Sequence, residues 1–454
     1  MSRFISTSTL RTLFSAAMSE MYRIEVPLYE ELLDIVASVN AEVLRKNDTL
    51  RNTMVKRGEI DRLNVERHGA IRVGSAEEIA VLRRIFALLG MFPVGYYDLA
   101  PAGVPVHSTA FRPIEDEDLQ ACPFRIFTSL LRLELIEDTN VREQARLALL
   151  GRHILSPACL QKIEKAEKNG GVLIEDTEEF IADILNIFRW HSQAIVSLST
   201  YHKMHDTHRL LADVAAFQGP HINHLTPRVL DIDAAQQKMQ RRGLKAKKYI
   251  EGPPPWAVEI LLRQTSFHAL EEKIFFPDDK QQQSGTHTAR FGEIEQRGMA
   301  LTPKGRHLYD TCLQEARYNT HNNNIEYMVS LQNSFKKFPD TLKELRQSGL
   351  GYFRYTITDT NTQQNIPQPC STLEELLEHG LVKATPILYE DFLPISAAGI
   401  FQSNLGGATH HGYNSTGSQT MLEEALGCAI LDPFALYGEI QNTSLSSIKK
   451  HFSL

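Results

Sequence analysis

No apolar run in the chain approaches the roughly 18 residues that a membrane-spanning helix needs, so a membrane protein is not expected. Cysteine is scarce: Cys122, Cys159, Cys312, Cys370 and Cys428 are scattered, odd in number and never in a CxxC pair. That argues against a disulfide framework or a zinc ribbon and for reduced structural thiols of an intracellular protein. There is no basic excess either. Lys and Arg number 48 against 55 Asp and Glu, a net charge of −7, so no nucleic-acid partner is expected. The one basic run, "RRGLKAKK" at 241–248, reads as a solvated face. The chain also lacks a glycine-rich phosphate loop, a Ser-His-Asp order and any low-complexity linker. The first acidic residue is Glu20. An opening rich in Ser, Thr and Arg without acids has the character of a mitochondrial presequence. An amphipathic first helix in a cytoplasmic protein is the preferred reading, with a mitochondrial location as the alternative.

What is present is ordinary for a globular enzyme: 454 residues, 42% apolar and 23% charged, enough for a core that needs no staples. Residues 27–46 have helical spacing, and residues 1–60 read as an N-terminal helical segment. "RHGAIRVG" (67–74) reads as a strand running into "SAEEIAVLRRIFALLG" (75–90), which has Ser75 and Glu78 as a capping box and Gly90 as a stop. Three strands follow, at 94–100, 104–114 and 124–136, so 61–136 has the order βαβββ. A helical insertion occupies 137–218. At 221 the order returns: strand-like "HINHLTPRVL", helix-like "DIDAAQQKMQRRG", then strand candidates at 245–252, 256–270 and 285–298. A second βαβββ module is therefore expected over 219–300. A mixed C-terminal region spans 301–454, packed on the core and closing the active site.

The modules begin alike, His68-x-x-x-Arg72-Val73 against His224-x-x-x-Arg228-Val229, which marks an internal repeat. Paired modules would form a curved half-barrel with His68 and His224 converging on one cleft. The last strand supplies Glu293 and Glu295, two apart and hence on one face. Such acids are costly in an apolar strand unless they bind a cation or pair with Arg290 or Arg297. Two imidazoles and one carboxylate form the facial triad of non-haem Fe(II) oxygenases, with either glutamate open as third ligand. His221 reads as structural. His202, His205 and His208 read as an exposed helix face, and His107 and His287 as either packing or support for the cleft.

The blocks "NVERHGAIRVG", "GMFPVGYYDLA", "GVPVHSTAFRP", "FRIFTSLLRLELIE", "HINHLTPRVLDID", "HTARFGEIEQRG", "ALTPKGR" and "YEDFLPISAAGIFQSNLG" together resemble the 2-oxoadipate dioxygenase/decarboxylase (2-hydroxyglutarate synthase) family of the vicinal oxygen chelate superfamily. The resemblance covers about residues 10–440. It implies an α+β fold with two βαβββ modules around a metal cleft. It also implies Fe(II) on His68, His224 and Glu293, with Arg72 holding the substrate carboxylate and Ile395 lining the pocket where the family pattern has valine. His68 then stands at both metal and substrate. The implied reaction belongs to lysine catabolism and uses O2 to convert 2-oxoadipate to 2-hydroxyglutarate and CO2. A Lewis-acid isomerase or lyase on the same fold, acting on a different 2-oxo acid, is the alternative, and a non-enzymatic 2-oxo-acid or metal-binding module is a third reading.

Overall fold

The computed structural model of the protein describes residues 3–56, 58–247, 249–277, 284–318, 324–358, 372–393 and 419–454. The fold is mixed α+β. By packing the chain divides into two compact units: Met1–Glu251 with Gln264–Gln296 and Phe392–Leu431, and Gly252–Arg263 with Arg297–Asp391 and Asp432–Leu454. The division runs through the second expected module.

Four helices open the first unit: α1 (Thr7–Glu25), α2 (Pro27–Lys46), α3 (Asp48–Lys56) and α4 (Glu59–Val65). Ser6 caps α1, and Pro27 starts α2 where a missing N–H costs nothing. The acid-free opening is therefore a packed helix. Leu10, Phe14, Met18, Met21 and Tyr22 lie in the main core. Fully buried Arg11 donates to the carbonyls of Leu89, Asp118 and Cys122 and to the Asp118 carboxylate.

The first module follows the expected order: β1 (Arg67–Val73), α5 (Ala76–Leu88), β2 (Phe92–Asp98), β3 (Val106–Arg112), then a short α6 (Asp116–Ala121) and β4 (Arg125–Leu131). Ser75 caps α5 through the Glu78 N–H, but the Glu78 carboxylate turns to Gly74 N–H and Arg152 instead of closing the box. The insertion is helical as its periodicity indicates, with α7 (Thr139–Leu150), α8 (Pro157–Asn169), α9 (Thr177–Leu185), α10 (Leu198–Thr207) and α11 (Arg209–Ala215).

The second set departs from a copy of the first. It contains β5 (Ile222–Pro227), α12 (Ile232–Arg241), β6 (Leu262–Ser266), β7 (Glu271–Phe275), β8 (Ser284–Thr288) and β9 (Glu293–Arg297). β5 leaves its own set and joins the first sheet, whose order is β2-β3-β4-β1-β5; β6 pairs with β9, and β7 with β8 as a hairpin. The described residues of 245–252 form no strand and make only isolated bridges, Ala246 to Phe267 and Glu251 to Gln264. Three prolines at 253–255 follow, and proline has no N–H for a ladder. The expected strand at 285–298 is two strands, because residues 289–292 bend between a hairpin partner and a different neighbour. A Cβ on Gly292 would lie 2.2 Å from the Phe267 ring, so only glycine fits the bend.

β1 and β5 are antiparallel, with Ala70 opposite His224 and Ile71 opposite Ile222. Asn223 is thus a bulge. The bulge shifts the alternation of side chains between His221 and His224. The Tyr22 hydroxyl lies 3.0 Å from the Asn223 carbonyl and 2.7 Å from that of Phe291, so α1 ties together the backbones that lead to His224 and Glu293.

The remaining elements are α13 (Pro303–Tyr318), α14 (Asn324–Phe335), α15 (Leu342–Gln347), β10 (Phe353–Ile357), α16 (Leu373–Glu378), β11 (Val382–Pro386), α17 (Gln419–Leu426) and α18 (Pro433–Phe452). In the second unit β10 and β11 form an antiparallel pair, and Phe353 N–H and Tyr355 N–H donate to Gln441 and Ser444 of α18. α17 belongs to the first unit, where Leu422 and Leu426 join its core. None of the described helices is long and apolar enough to cross a membrane.

Candidate metal centre

His68 from β1, His224 from β5 and Glu293 from β9 converge. Each can offer one ligand atom such that all three lie within 4.8 Å of one another. His68 Nε2 is 3.0 Å and His224 Nε2 3.8 Å from Glu293 Oε1. The two imidazoles are perpendicular, 5.5 Å apart. Oε1 also accepts from Thr226 Oγ1 at 3.0 Å and Gln264 Nε2 at 2.9 Å. Glu293 Oε2 and His224 Nδ1 are buried without a hydrogen-bond partner among the described residues. A buried carboxylate oxygen left idle beside two inward-facing imidazole nitrogens fits a divalent cation. The donor set, two nitrogens and one oxygen, is that of non-haem iron. Glycine at 69 lets the strands approach: a Cβ there would meet Ile222 at 2.7 Å and the His224 carbonyl at 3.1 Å.

The electrostatics suit the same occupant. Burial pushes the His224 imidazole down to about 3, with His68, Arg72 and Lys247 nearby acting the same way against Glu293. His224 is therefore neutral and able to ligate. Burial alone would raise Glu293, but the contact with His68 and the nearby Lys247 charge hold its carboxyl below the usual range. Burial pulls His68 down too, yet Glu295 and Glu293 more than offset it.

Glu295 sits on the far side of the His68 ring, its Oε2 3.0 Å from Nδ1 and off the line of a straight hydrogen bond. It orients the ring, while Glu293 shares the cluster with His224. Arg290, expected beside Glu295, instead pairs with Glu25 and Glu272. Arg297 donates to the carbonyls of Tyr389 and Asp391. Behind the site, buried Glu66 takes Arg62, Arg125 and Arg228, and Arg125 is 4.0 Å from Glu295.

Arg72 lies on the same strand as His68, buried, with Nη1 2.5 Å from Asp213 Oδ2. Asp213 Oδ1 is 2.9 Å from His287 Nε2 and 3.4 Å from His221 Nε2. His221 packs edge-on against Trp190 and is 3.1 Å from the Asn223 amide, the hydrogen-bonding role expected of it. His287 is a support for Arg72 at one remove. His107 packs against Tyr96 and takes no part in the cluster. His208 is buried, contrary to the exposed-face expectation: it closes α10, accepts from Leu210 N–H and contacts the Gly103 carbonyl. Lys247, read as solvated, is buried, 3.4 Å from Glu251. Phe392 stacks edge-on against His68 at 5.0 Å and Phe127 at 5.2 Å. Ile395 lies outside the described residues.

Asp213, Glu66, Gln264 and Thr226 were not singled out in the sequence. Asp213 sits in a short helix that is buried almost throughout, with no motif around it. Arg228 had a signal, as the repeat partner of Arg72, and the structure gives the two arginines different partners.

The buried His68–His224–Glu293 cluster is a candidate metal site, and comparison with known proteins gives the family of the chain. The family model of 2-oxoadipate dioxygenase/decarboxylase matches residues 14–404. The protein of that name from Escherichia coli (strain K12) is 53% identical over 445 residues, covering 98% of each chain. That from Pseudomonas putida is 49% identical over 460 residues, covering 99% of this chain and 98% of the other. The crystal structure of the Pseudomonas putida hydroxyglutarate synthase in complex with 2-oxoadipate is similar over 100% of both chains, with 47% identity and a TM-score of 0.91. The chain belongs to the 2-oxoadipate dioxygenase/decarboxylase family.

Proposed function

We propose that the protein is a non-haem Fe(II) dioxygenase converting 2-oxoadipate and O2 to 2-hydroxyglutarate and CO2. The observation that carries the reading is the buried cluster of His68, His224 and Glu293 beside Arg72. Its support from relatives is the 2-oxoadipate complex of the similar Pseudomonas putida enzyme. The two-module reading fits the pairing of β1 with β5, since each opens one βα unit and carries one histidine.

His68, His224 and Glu293 would hold Fe(II), which when bound supplies a chelation point for the keto oxygen and adjacent carboxylate of the substrate and activates O2. Neutral His224 offers a lone pair without first losing a proton. Glu293 stays ionised, and Thr226 and Gln264 hold its Oε1 in place. Glu295 keeps the Nε2 edge of His68 turned to the cluster. Arg72 would bind the distal carboxylate through its guanidinium fork, fixing the chain so that the carbon next to the keto group faces the metal side. Phe392 and Phe291, stacked on the two histidines, exclude water from the imidazoles. Oxidation of the keto carbon releases CO2 and leaves a carboxylate, and the adjacent carbon gains the hydroxyl. Both atoms of O2 enter the product, so no second 2-oxo acid is needed. Ile395 is proposed to line the pocket, and Ile395→Val is expected to alter substrate preference more than metal content.

Purified protein supplied with Fe(II), 2-oxoadipate and O2 tests the reading. The expected product is 2-hydroxyglutarate, and alanine at His68, His224 or Glu293 removes product and bound iron together. Iron retained by Glu293→Ala but lost by Glu295→Ala would assign the third ligand to Glu295.

A further inference from the structure

We infer that Asp213, from the helical insertion, is the positioning residue that sets the direction of the Arg72 guanidinium and thereby the preference for a second carboxylate on the substrate. The inference rests on the reading of Arg72 as the carboxylate anchor. Arg72 and Asp213 are both buried, their contact is 2.5 Å, and they come from different elements, β1 and α11. Asp213 is itself pinned: its second oxygen is 2.9 Å from His287 Nε2 and 3.4 Å from His221 Nε2. His287 is fixed in turn, since its Nδ1 lies 2.9 Å from the Tyr201 hydroxyl. The chain Tyr201–His287–Asp213–Arg72 thus runs from α10 through β8 and α11 to β1.

An arginine side chain left to itself has many rotamers and loses that freedom on gripping an anion. Held at Nη1 by a fixed carboxylate, its plane is set before substrate arrives. Asp213 also balances the Arg72 charge in the apolar interior. Burial would raise the Asp213 carboxyl, but Arg72 and the two histidines hold it well below the usual range, so the anion persists at every working pH. A neutralised arginine attracts anions weakly at a distance, and selection then comes from the aim of its remaining N–H groups. The insertion between the two βα units accordingly supplies substrate selection, while the strands supply the metal ligands.

The test is Asp213→Asn, which keeps the shape and removes the charge, assayed with 2-oxoadipate and with 2-oxohexanoate, the same chain without the distal carboxylate. With the dicarboxylate, KM is expected to rise about ten- to hundredfold, while kcat and iron content stay near wild type. With the monocarboxylate, KM, or the inhibition constant if it is not turned over, is expected to stay unchanged. Tyr201→Phe removes one oxygen from the network and keeps the test readable if Asp213→Asn does not fold: a smaller rise in the dicarboxylate KM is expected. Equal weakening of both acids, a fall in kcat at unchanged KM, or no change overturns the assignment. Wild-type protein that binds 2-oxoadipate in calorimetry without turning it over would refute the proposed reaction instead. The dicarboxylate-to-monocarboxylate affinity ratio in wild type and variants would then still decide the role of Asp213.

Discussion

At the scale of single residues, the site separates two glutamates that stand two positions apart on one strand. Glu293 meets His68 Nε2 and His224, while Glu295 meets His68 Nδ1. Glu293→Ala is therefore expected to abolish iron binding, whereas Glu295→Gln weakens it about ten- to hundredfold, measured by iron content after dialysis against a graded chelator. The pair was legible as two acids on one face, but which one meets His224 depends on the bend before β9. That bend turns on Gly292 meeting Phe267, a contact that no local spacing encodes. His107 gives a prediction independent of the metal. Burial, aided by Arg132, pushes its imidazole down to about 4. Between the unfolded value of about 6.5 and the folded one, the unfolded chain binds a proton that the folded chain refuses. Stability is thus lost as pH falls through that window, by about 3 kcal/mol in all. His107→Gln is expected to flatten this part of the stability–pH curve, read by denaturant unfolding at pH steps between neutrality and about 4.

At the scale of elements, α1 is the part whose role sequence composition left most open. Its acid-free Ser- and Thr-rich stretch has presequence character, yet its apolar face and one buried arginine belong to the core. Arg11 satisfies three carbonyls in two separate segments, and Tyr22 spans the backbones leading to His224 and Glu293. Tyr22→Phe is expected to cost about 1–2 kcal/mol in denaturant unfolding and to lower iron affinity along with it. Removal of residues 1–19 should leave protein that does not fold. Gly69→Ala is expected to lower iron affinity, because the added methyl pushes β1 away from β5 at the level of the two histidines. The first βαβββ set, its helix cap and the helical insertion were all readable from periodicity and turn chemistry. The second set was readable only in part. Its strands take partners according to tertiary contacts: β5 goes to β1, and β7 and β8 to each other.

At the scale of the whole molecule, the short His-x-x-x-Arg-Val match and the family resemblance pointed to His68, His224 and Glu293, which the structure brings together. The buried counter-charges were not. Asp213 carries no motif, and the stretches that hold Glu66 and Lys247 do not mark them as buried, because burial of a charge is a property of the folded neighbourhood, invisible to composition. The same holds for the two compact units, because 252–263 and 297–391 group together across a long separation in sequence. The central claim is that the His68–His224–Glu293 centre performs an oxygen-dependent decarboxylation, against a Lewis-acid reaction that needs no oxygen. The most direct measurement is turnover of 2-oxoadipate under isotopically heavy O2, with the oxygen content of the product read by mass spectrometry. The account predicts one heavy oxygen in the new carboxylate, one in the hydroxyl of 2-hydroxyglutarate, and no turnover when oxygen is withheld. Full-rate conversion without oxygen, or a product free of label, would contradict it.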